Sequence, residues 1–222
     1  MGYEPREVKV DELGRAYAVA LLAGDEVDAE LVIRDAMDAG LSSAEIDDSI
    51  ITPALWLVGD LWQKGEITVA DEHLATEISL RVLALQREVR RVAHERSDHL
   101  VMCAAPTAEL HVVALRMTAN LLREAGYDVL MLGADVPPYA LAEAAARYRA
   151  DVICLSSTMA GSADQVLVSI HEVQKRRPAA GFVLGGRGVT SRLRRWPGIG
   201  VCERVSEVVE TVDALVKRAA LN

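Results

Sequence analysis

The feature that most constrains the fold is a change of apolar rhythm near residue 97. Upstream, apolar residues recur every three or four positions, the period of a helix with one buried face. Four such blocks follow one another: VDELGRAYAVALLAG ending at Gly24, DEVDAELVIRDAMDAG, SSAEIDDSIITPALWLVGDLWQKG, and TVADEHLATEISLRVLALQREVRRVAHE. Asp25 is placed to cap the second helix, Ser42 with Glu45 to form a capping box on the third, and Thr68 to open the fourth. Short connections between four helices predict an antiparallel bundle over residues 8–95. The charged stretch His94–His99 reads as the linker.

Downstream, short apolar runs alternate with helical stretches: LVMCAA, YDVLML, DVICLS, GFVLGG and GIGVC, each followed by a helix-like segment. Repeated strand–helix units predict a second domain over residues 99–222, an α/β fold with a parallel sheet covered by helices on both faces. In such sheets ligands bind outside the carboxyl ends of the strands.

Composition narrows the function classes. The chain of 222 residues is 51% hydrophobic and 26% charged, enough to bury a core. No apolar run approaches the roughly 18 residues that a membrane span needs. The charged N-terminus does not read as a signal peptide, and three cysteines without a CxxC pair fit a reducing, cytoplasmic setting. Cys103, Cys154 and Cys202 are placed at or near the ends of the first, third and fifth strands and read as buried small hydrophobes, with a covalent chromophore link through Cys103 as the alternative. A net charge of −9 argues against general nucleic-acid binding. The charge is uneven: residues 1–72 carry seventeen acids and five bases, whereas residues 173–195 carry seven bases and no acid. These are either solvated faces or complementary docking surfaces.

The chemistry-bearing residues gather at the predicted strand ends. Pro106-Thr-Ala-Glu109-Leu110-His111 follows the first strand, Ser156-Ser-Thr158 the third, and Gly185-Gly186 the fourth. Glu109, two residues from His111, can hold one imidazole nitrogen and leave the other for a metal. A dinucleotide site fails, since APTAELH stands where GxGxxG is required. GxxxxGK[ST] and GxSxG are absent as well.

These motifs in this order resemble the cobalamin (vitamin B12) binding domain, whose pattern is Asp-x-His-x-x-Gly, about forty-one residues, Ser-x-Leu, twenty-six to twenty-eight residues, Gly-Gly. Here it reads Glu109-Leu110-His111-Val112-Val-Ala114, forty-one residues, Ser156-Ser-Thr158, twenty-six residues, Gly185-Gly186, with Glu, Ala and Thr as departures. The resemblance implies a Rossmann-like, flavodoxin-like sheet. It also implies that His111 ligates cobalt from below, that Ser156, Thr158, Gly185 and Gly186 accommodate the displaced base, and that Asp135 and Val136, after the second strand, line the corrin edge.

In the helical half, Trp62 is followed after nine residues by Glu72-His73. Trp-x9-Glu-His resembles the cap of adenosylcobalamin-dependent photoreceptors, in which the Trp packs on the adenosyl group, the Glu contacts it, and light breaks the cobalt–carbon bond. Two departures stand out. Those members carry a DNA-binding domain before the cap, so no direct DNA binding is expected here. They also place a histidine after the Trp, where this chain has Gln63. Standalone forms include the photocobilins, which hold a bilin such as biliverdin beside the cobalamin. The implied function is therefore a light-sensing adenosylcobalamin protein, not itself an enzyme, that homo-oligomerises and signals to a downstream protein. The alternative from the same family is a corrinoid carrier for methyl transfer.

Overall fold

The computed structural model describes residues 9–90, 97–159, 163–194, 196 and 198–219. The chain divides into two compact units, residues 1–91 and 92–222. Residues 94–96 of the expected linker His94–His99 lie outside the described residues.

The first unit is helical: α1 (Val10–Ala23), α2 (Glu26–Asp38), α3 (Ser43–Ile46), a π-helical turn (Asp47–Ile51), α4 (Thr52–Gln63) and α5 (Val69–Val89). Local chemistry fixes the ends. Gly24 takes the left-handed conformation, φ 66°, and lets Asp25 N–H close back on the Ala20 carbonyl at 2.9 Å. The Asp25 side chain then accepts from Asp28 N at 3.0 Å, capping α2. Capping boxes form at Ser42–Glu45 and at Thr68–Asp71. The third predicted helix is thus one helical stretch, but it is interrupted by the π turn, whose Ile50 and Ile51 are fully buried. Tyr17, Leu21, Ile33, Ile46, Val58, Ile78 and Leu83 complete this core. The buried Tyr17 hydroxyl is satisfied by Ser79 Oγ at 3.1 Å.

The second unit contains β1 (Leu100–Pro106), α6 (Val113–Glu124), β2 (Asp128–Val136), α7 (Pro138–Tyr148), β3 (Val152–Ser156), α8 (Ala163–Arg176), β4 (Gly181–Gly185), the short α9 (Ser191–Arg194), β5 (Ile199–Cys202) and α10 (Val208–Ala219). All strand pairs are parallel, in the order β2-β1-β3-β4-β5. This is a doubly wound, Rossmann-like sheet of the flavodoxin-like order, as the strand–helix alternation predicts. Met102, Ala104, Ile153, Leu155, Phe182 and Leu184 face Leu141, Ala142, Val166, Ile170 and Val173 of α7 and α8 in one apolar core.

Two features differ from the sequence expectation. Cys103 and Cys154 are mid-strand register partners, fully and almost fully buried, rather than strand-end residues. The hydrogen bond with Cys103 and burial push the Cys154 thiol well up, so this pair behaves as packing and Cys103 is not presented to a chromophore. The basic 173–195 segment is also less free than its composition suggests. Lys175 pairs with Glu172 at 2.5 Å, Arg194 with Glu203 at 2.8 Å, and Arg177 with Asp151 at 3.3 Å. Among the described residues, no helix is long and apolar enough to cross a membrane.

Candidate functional site

The loops after β1 and β3 meet at one buried carboxylate, with the end of β2 bonded to the first loop and the end of β4 to the second. β1 ends at Pro106, and the loop to α6 turns sharply at Ala108, whose φ of 66° is unusual for a residue with a side chain. That turn drops Glu109 into the protein, where its side chain is 0% exposed, and leaves His111 at 44%. Glu109 Oε1 accepts the His111 ring Nδ1 at 2.6 Å and the His111 backbone N–H at 3.1 Å. Oε2 accepts the backbone N–H groups of Thr158 at 2.6 Å and Met159 at 3.1 Å. Burial alone would raise this carboxyl, but the His111 ring and the three backbone donors outweigh it and hold it down at about 2. A carboxylate can only accept, so Nδ1 carries the proton, and in the neutral ring Nε2 carries the lone pair. The arrangement fixes the orientation of one imidazole, a geometry that can ligate a metal.

Other predicted residues fall in different places. Asp135 sits inside β2, which runs further than the YDVLML segment implies, past register shifts against β1 at Cys103/Ala104 and Ala104/Pro106. Its φ is 52°. Its carboxylate accepts Ala108 N at 2.8 Å, and its own N–H donates to the Glu109 carbonyl at 3.1 Å. Asp135 therefore braces the turn that carries Glu109 and His111. Val136, expected at a ligand edge, is buried in the core with Leu141 and Ala142. Leu110 is 70% exposed, and Val112 is the N-cap of α6.

On the β3 and β4 side, Ser157 N–H donates to the Gly185 carbonyl at 2.9 Å, and Gly188 N–H to the Ser157 carbonyl at 2.8 Å. A Cβ on Gly186 would stand 2.3 Å from the Ser157 carbonyl oxygen, so only glycine permits this approach. Gly188 is equally constrained, with Ser157 Oγ and the Met159 carbonyl both at 2.6 Å from a built Cβ. The sequence pattern names Ser156, Thr158, Gly185 and Gly186. It misses Ser157, Met159 and Gly188, although the Gly185-Gly186-Arg187-Gly188 run was the available signal.

The implied cobalamin suits these residues on two counts besides the imidazole. The Ser156 and Thr107 hydroxyls, at the ends of β3 and β1, are buried without a hydrogen-bond partner among the described residues, and a polar ligand group would satisfy them. A Cβ on Gly185 would meet only the Cys202 carbonyl oxygen, at 3.8 Å, so the wall of the site there is thin.

In the helical unit, Trp62 and Glu72-His73 flank the connection between α4 and α5, at one end of the bundle. Trp62 is 39% exposed. Glu72 Oε2 meets His73 Nδ1 at 2.6 Å, and Glu72 Oε1 accepts the Thr76 hydroxyl at 3.1 Å. His73 itself remains 73% exposed.

Family models for B12 binding domains match residues 100–216 and, separately, residues 13–85. The chain is 25% identical over 191 residues to monomethylamine corrinoid protein 1 of Methanosarcina acetivorans, covering 82% of this chain and 85% of that one. It is 28% identical over 191 residues to the HTH-type transcriptional repressor CarH of Myxococcus xanthus, covering 84% of this chain but only 61% of the repressor. Its fold matches the monomethylamine corrinoid protein structure of Methanosarcina barkeri with a TM-score of 0.79 at 17% identity, over 94% of this chain and 100% of that one. Two of these three relatives are named as corrinoid proteins. The chain belongs to the B12 binding domain family and is a cobalamin-binding protein.

Proposed function

We propose that this protein is a light sensor that holds adenosylcobalamin, with His111 as the lower cobalt ligand and the Trp62, Glu72, His73 end of the bundle covering the adenosyl group. The observation that carries the reading is that end of the bundle: a half-exposed indole and a paired carboxylate, in the Trp-x9-Glu-His spacing of the photoreceptor cap. The cofactor supplies a cobalt–carbon bond that visible light breaks. The protein supplies the orienting Glu109, the brace at Asp135, the glycine-lined wall at Gly185 and Gly186, and polar partners in Ser156 and Thr158. The output is a change of self-assembly that a downstream protein reads. A bilin beside the corrin is the further element of the photocobilin resemblance, and a long-wavelength absorption band in protein from bilin-supplied cells tests it.

The indole stacks on the adenine and buries apolar area, worth on the order of 1–3 kcal/mol. Trp62→Ala is therefore expected to weaken adenosylcobalamin about tenfold or more and to leave hydroxocobalamin unchanged in dark titration calorimetry. Equal loss for both ligands would reduce Trp62 to bundle packing.

A second reading, a corrinoid carrier for methyl transfer, is favoured by the corrinoid-protein relatives and their shared fold. A carrier needs an open upper face. It is expected to bind methylcobalamin at least as well as adenosylcobalamin and to surrender the methyl group to a partner methyltransferase.

A further inference from the structure

Residues 16–24, AYAVALLAG, carry no charge, and the Tyr17 hydroxyl is their one polar side-chain group. They run through α1 to its glycine cap, more than two turns, so this part of α1 is apolar around its whole circumference. A helix of that kind is normally covered on every side. One side is covered here, with Tyr17, Ala18 and Leu21 buried in the bundle. The other is open: Val19 is 67% and Leu22 39% exposed. α2 repeats the arrangement. Ala29, Ile33 and Ala36 are buried, while Val27 and Leu31 are 66% and 51% exposed. The bundle core therefore accounts for one apolar face of each helix and leaves a second uncovered.

The uncovered sides form a groove between α1 and α2. Ala16, Val19, Ala20 and Ala23 line it from α1 at i, i+3, i+4 and i+7, and Asp28, Leu31, Val32 and Asp35 line it from α2 at the same spacing. Each stripe is about 10 Å long, two helical turns. Alanines along one wall let a third helix approach closely, so the shape suits a helix laid along it. Charge then selects the helix. Asp25 and Asp28 lie toward the α1–α2 connection and Asp35 two turns away, all three exposed and without an ion pair among the described residues. Residues 9–40 carry eight acids and three bases. Those bases are engaged: Lys9 with Glu12 at 3.3 Å, Arg34 with Glu30 at 3.9 Å, and Arg15 with the Asp11 carbonyl at 3.2 Å. A second copy presenting this same face would set aspartate against aspartate. A helix with Lys or Arg at both ends of a short apolar stripe matches the apolar floor and the acidic ends together.

We propose that the α1–α2 groove is a docking site for a basic amphipathic helix of another protein, with its apolar stripe on Val19, Leu31 and Val32 and its cations on Asp28 and Asp35. The site does not depend on which group cobalt carries, so it stands or falls apart from the photosensor and carrier readings.

The test uses the full chain and a fluorescent synthetic helix with leucine and alanine at i, i+3, i+4 and i+7 and lysines at both ends. Two controls accompany it: a peptide of the same composition with the stripe scrambled, and one with glutamate for every lysine. Binding is read by anisotropy for wild type, Val19→Ser, Leu31→Ser, the pair Asp28→Asn with Asp35→Asn, and Val168→Ser, an exposed position on α8. Because the changed residues are exposed, the ligand-free variants are expected to melt within about 2 °C of wild type. Wild type is expected to bind the lysine peptide and neither control. Val19→Ser and Leu31→Ser are each expected to weaken it about fivefold or more, and Val168→Ser to leave it unchanged. The aspartate pair is expected to weaken it too and to flatten its salt dependence, a readout that loss of packing alone would not move. Absence of binding, equal binding of the scrambled peptide, or groove variants that bind as wild type does would each overturn the proposal. So would a chain that self-associates without peptide and loses this in Leu31→Ser, since the occupant would then be a second copy.

Discussion

Replacing Glu109 with glutamine removes a charge while keeping the shape of the side chain. Four donors converge on this carboxylate: the His111 ring, and the N–H groups of His111, Thr158 and Met159. A glutamine offers one acceptor and one donor, so at least one of the two groups of donors must face an NH2. The carboxyl is held at about 2 from an ordinary value of 4.5. A depression of that size corresponds to about 3 kcal/mol of folding stability at neutral pH. For a domain of this size, that is a fall in melting temperature on the order of 10 °C. The sign of the pH dependence follows from the lowered value. The stabilisation is fully present above about pH 4.5 and is lost as pH falls through about 2, with roughly half of it gone by pH 3. Melting of ligand-free wild type and Glu109→Gln between pH 3 and 7 is the assay, and the gap between them should narrow as the solution is acidified. A gap that is absent, or the same size at pH 3 and pH 7, would refute the charged clamp and leave only a packing role for Glu109.

His111→Ala should leave cobalamin weakly held or held without a histidine nitrogen. Electron paramagnetic resonance of the reduced, loaded protein with labelled histidine checks this, and surviving nitrogen splitting would remove His111 as the ligand. Ala108 adopts φ 66° with a side chain, so Ala108→Gly should raise ligand-free stability by about 0.5–1 kcal/mol in denaturant melts, provided the turn is as strained as its φ indicates. Asp135→Ala, which removes the acceptor for Ala108 N, should lower both ligand-free stability and cobalamin affinity. Asp135→Asn should restore much of each, because asparagine tolerates the same φ and keeps an acceptor.

Much of the fold was legible because its signals are local. Asp25, Ser42 with Glu45, and Thr68 cap helices through contacts three residues away, and sequence spacing encodes such contacts directly. The triad of motifs at the strand ends was legible for a related reason: strand order brings the carboxyl ends of β1, β3 and β4 together whatever lies between. Contacts set by register were not legible. Asp135 reaches Ala108 across 27 residues, near the register shifts between β1 and β2. Val136 beside it is buried in the core cluster with Leu141 and Ala142. Likewise Arg177 reads as one of seven exposed bases, but folding brings it to Asp151 and to the carbonyls of Arg149 and Ala150. The π turn at Asp47–Ile51 had no signal in apolar spacing, since one inserted residue in a buried run leaves the pattern intact.

The central claim, that light acting on the bound cofactor changes the protein's surface, is tested most directly by light-scattering mass. Protein loaded with adenosylcobalamin is passed over a sizing column in the dark and again after green illumination, at low and at high salt. The account predicts different masses in the dark and in the light, with the difference weakening as salt screens exposed charge pairs. It also predicts that hydroxocobalamin-loaded protein shows the same mass in both conditions. Identical masses for the adenosylcobalamin-loaded protein at both salt concentrations, together with methyl transfer from methylcobalamin-loaded protein to a partner enzyme, would contradict the photosensor and establish the carrier.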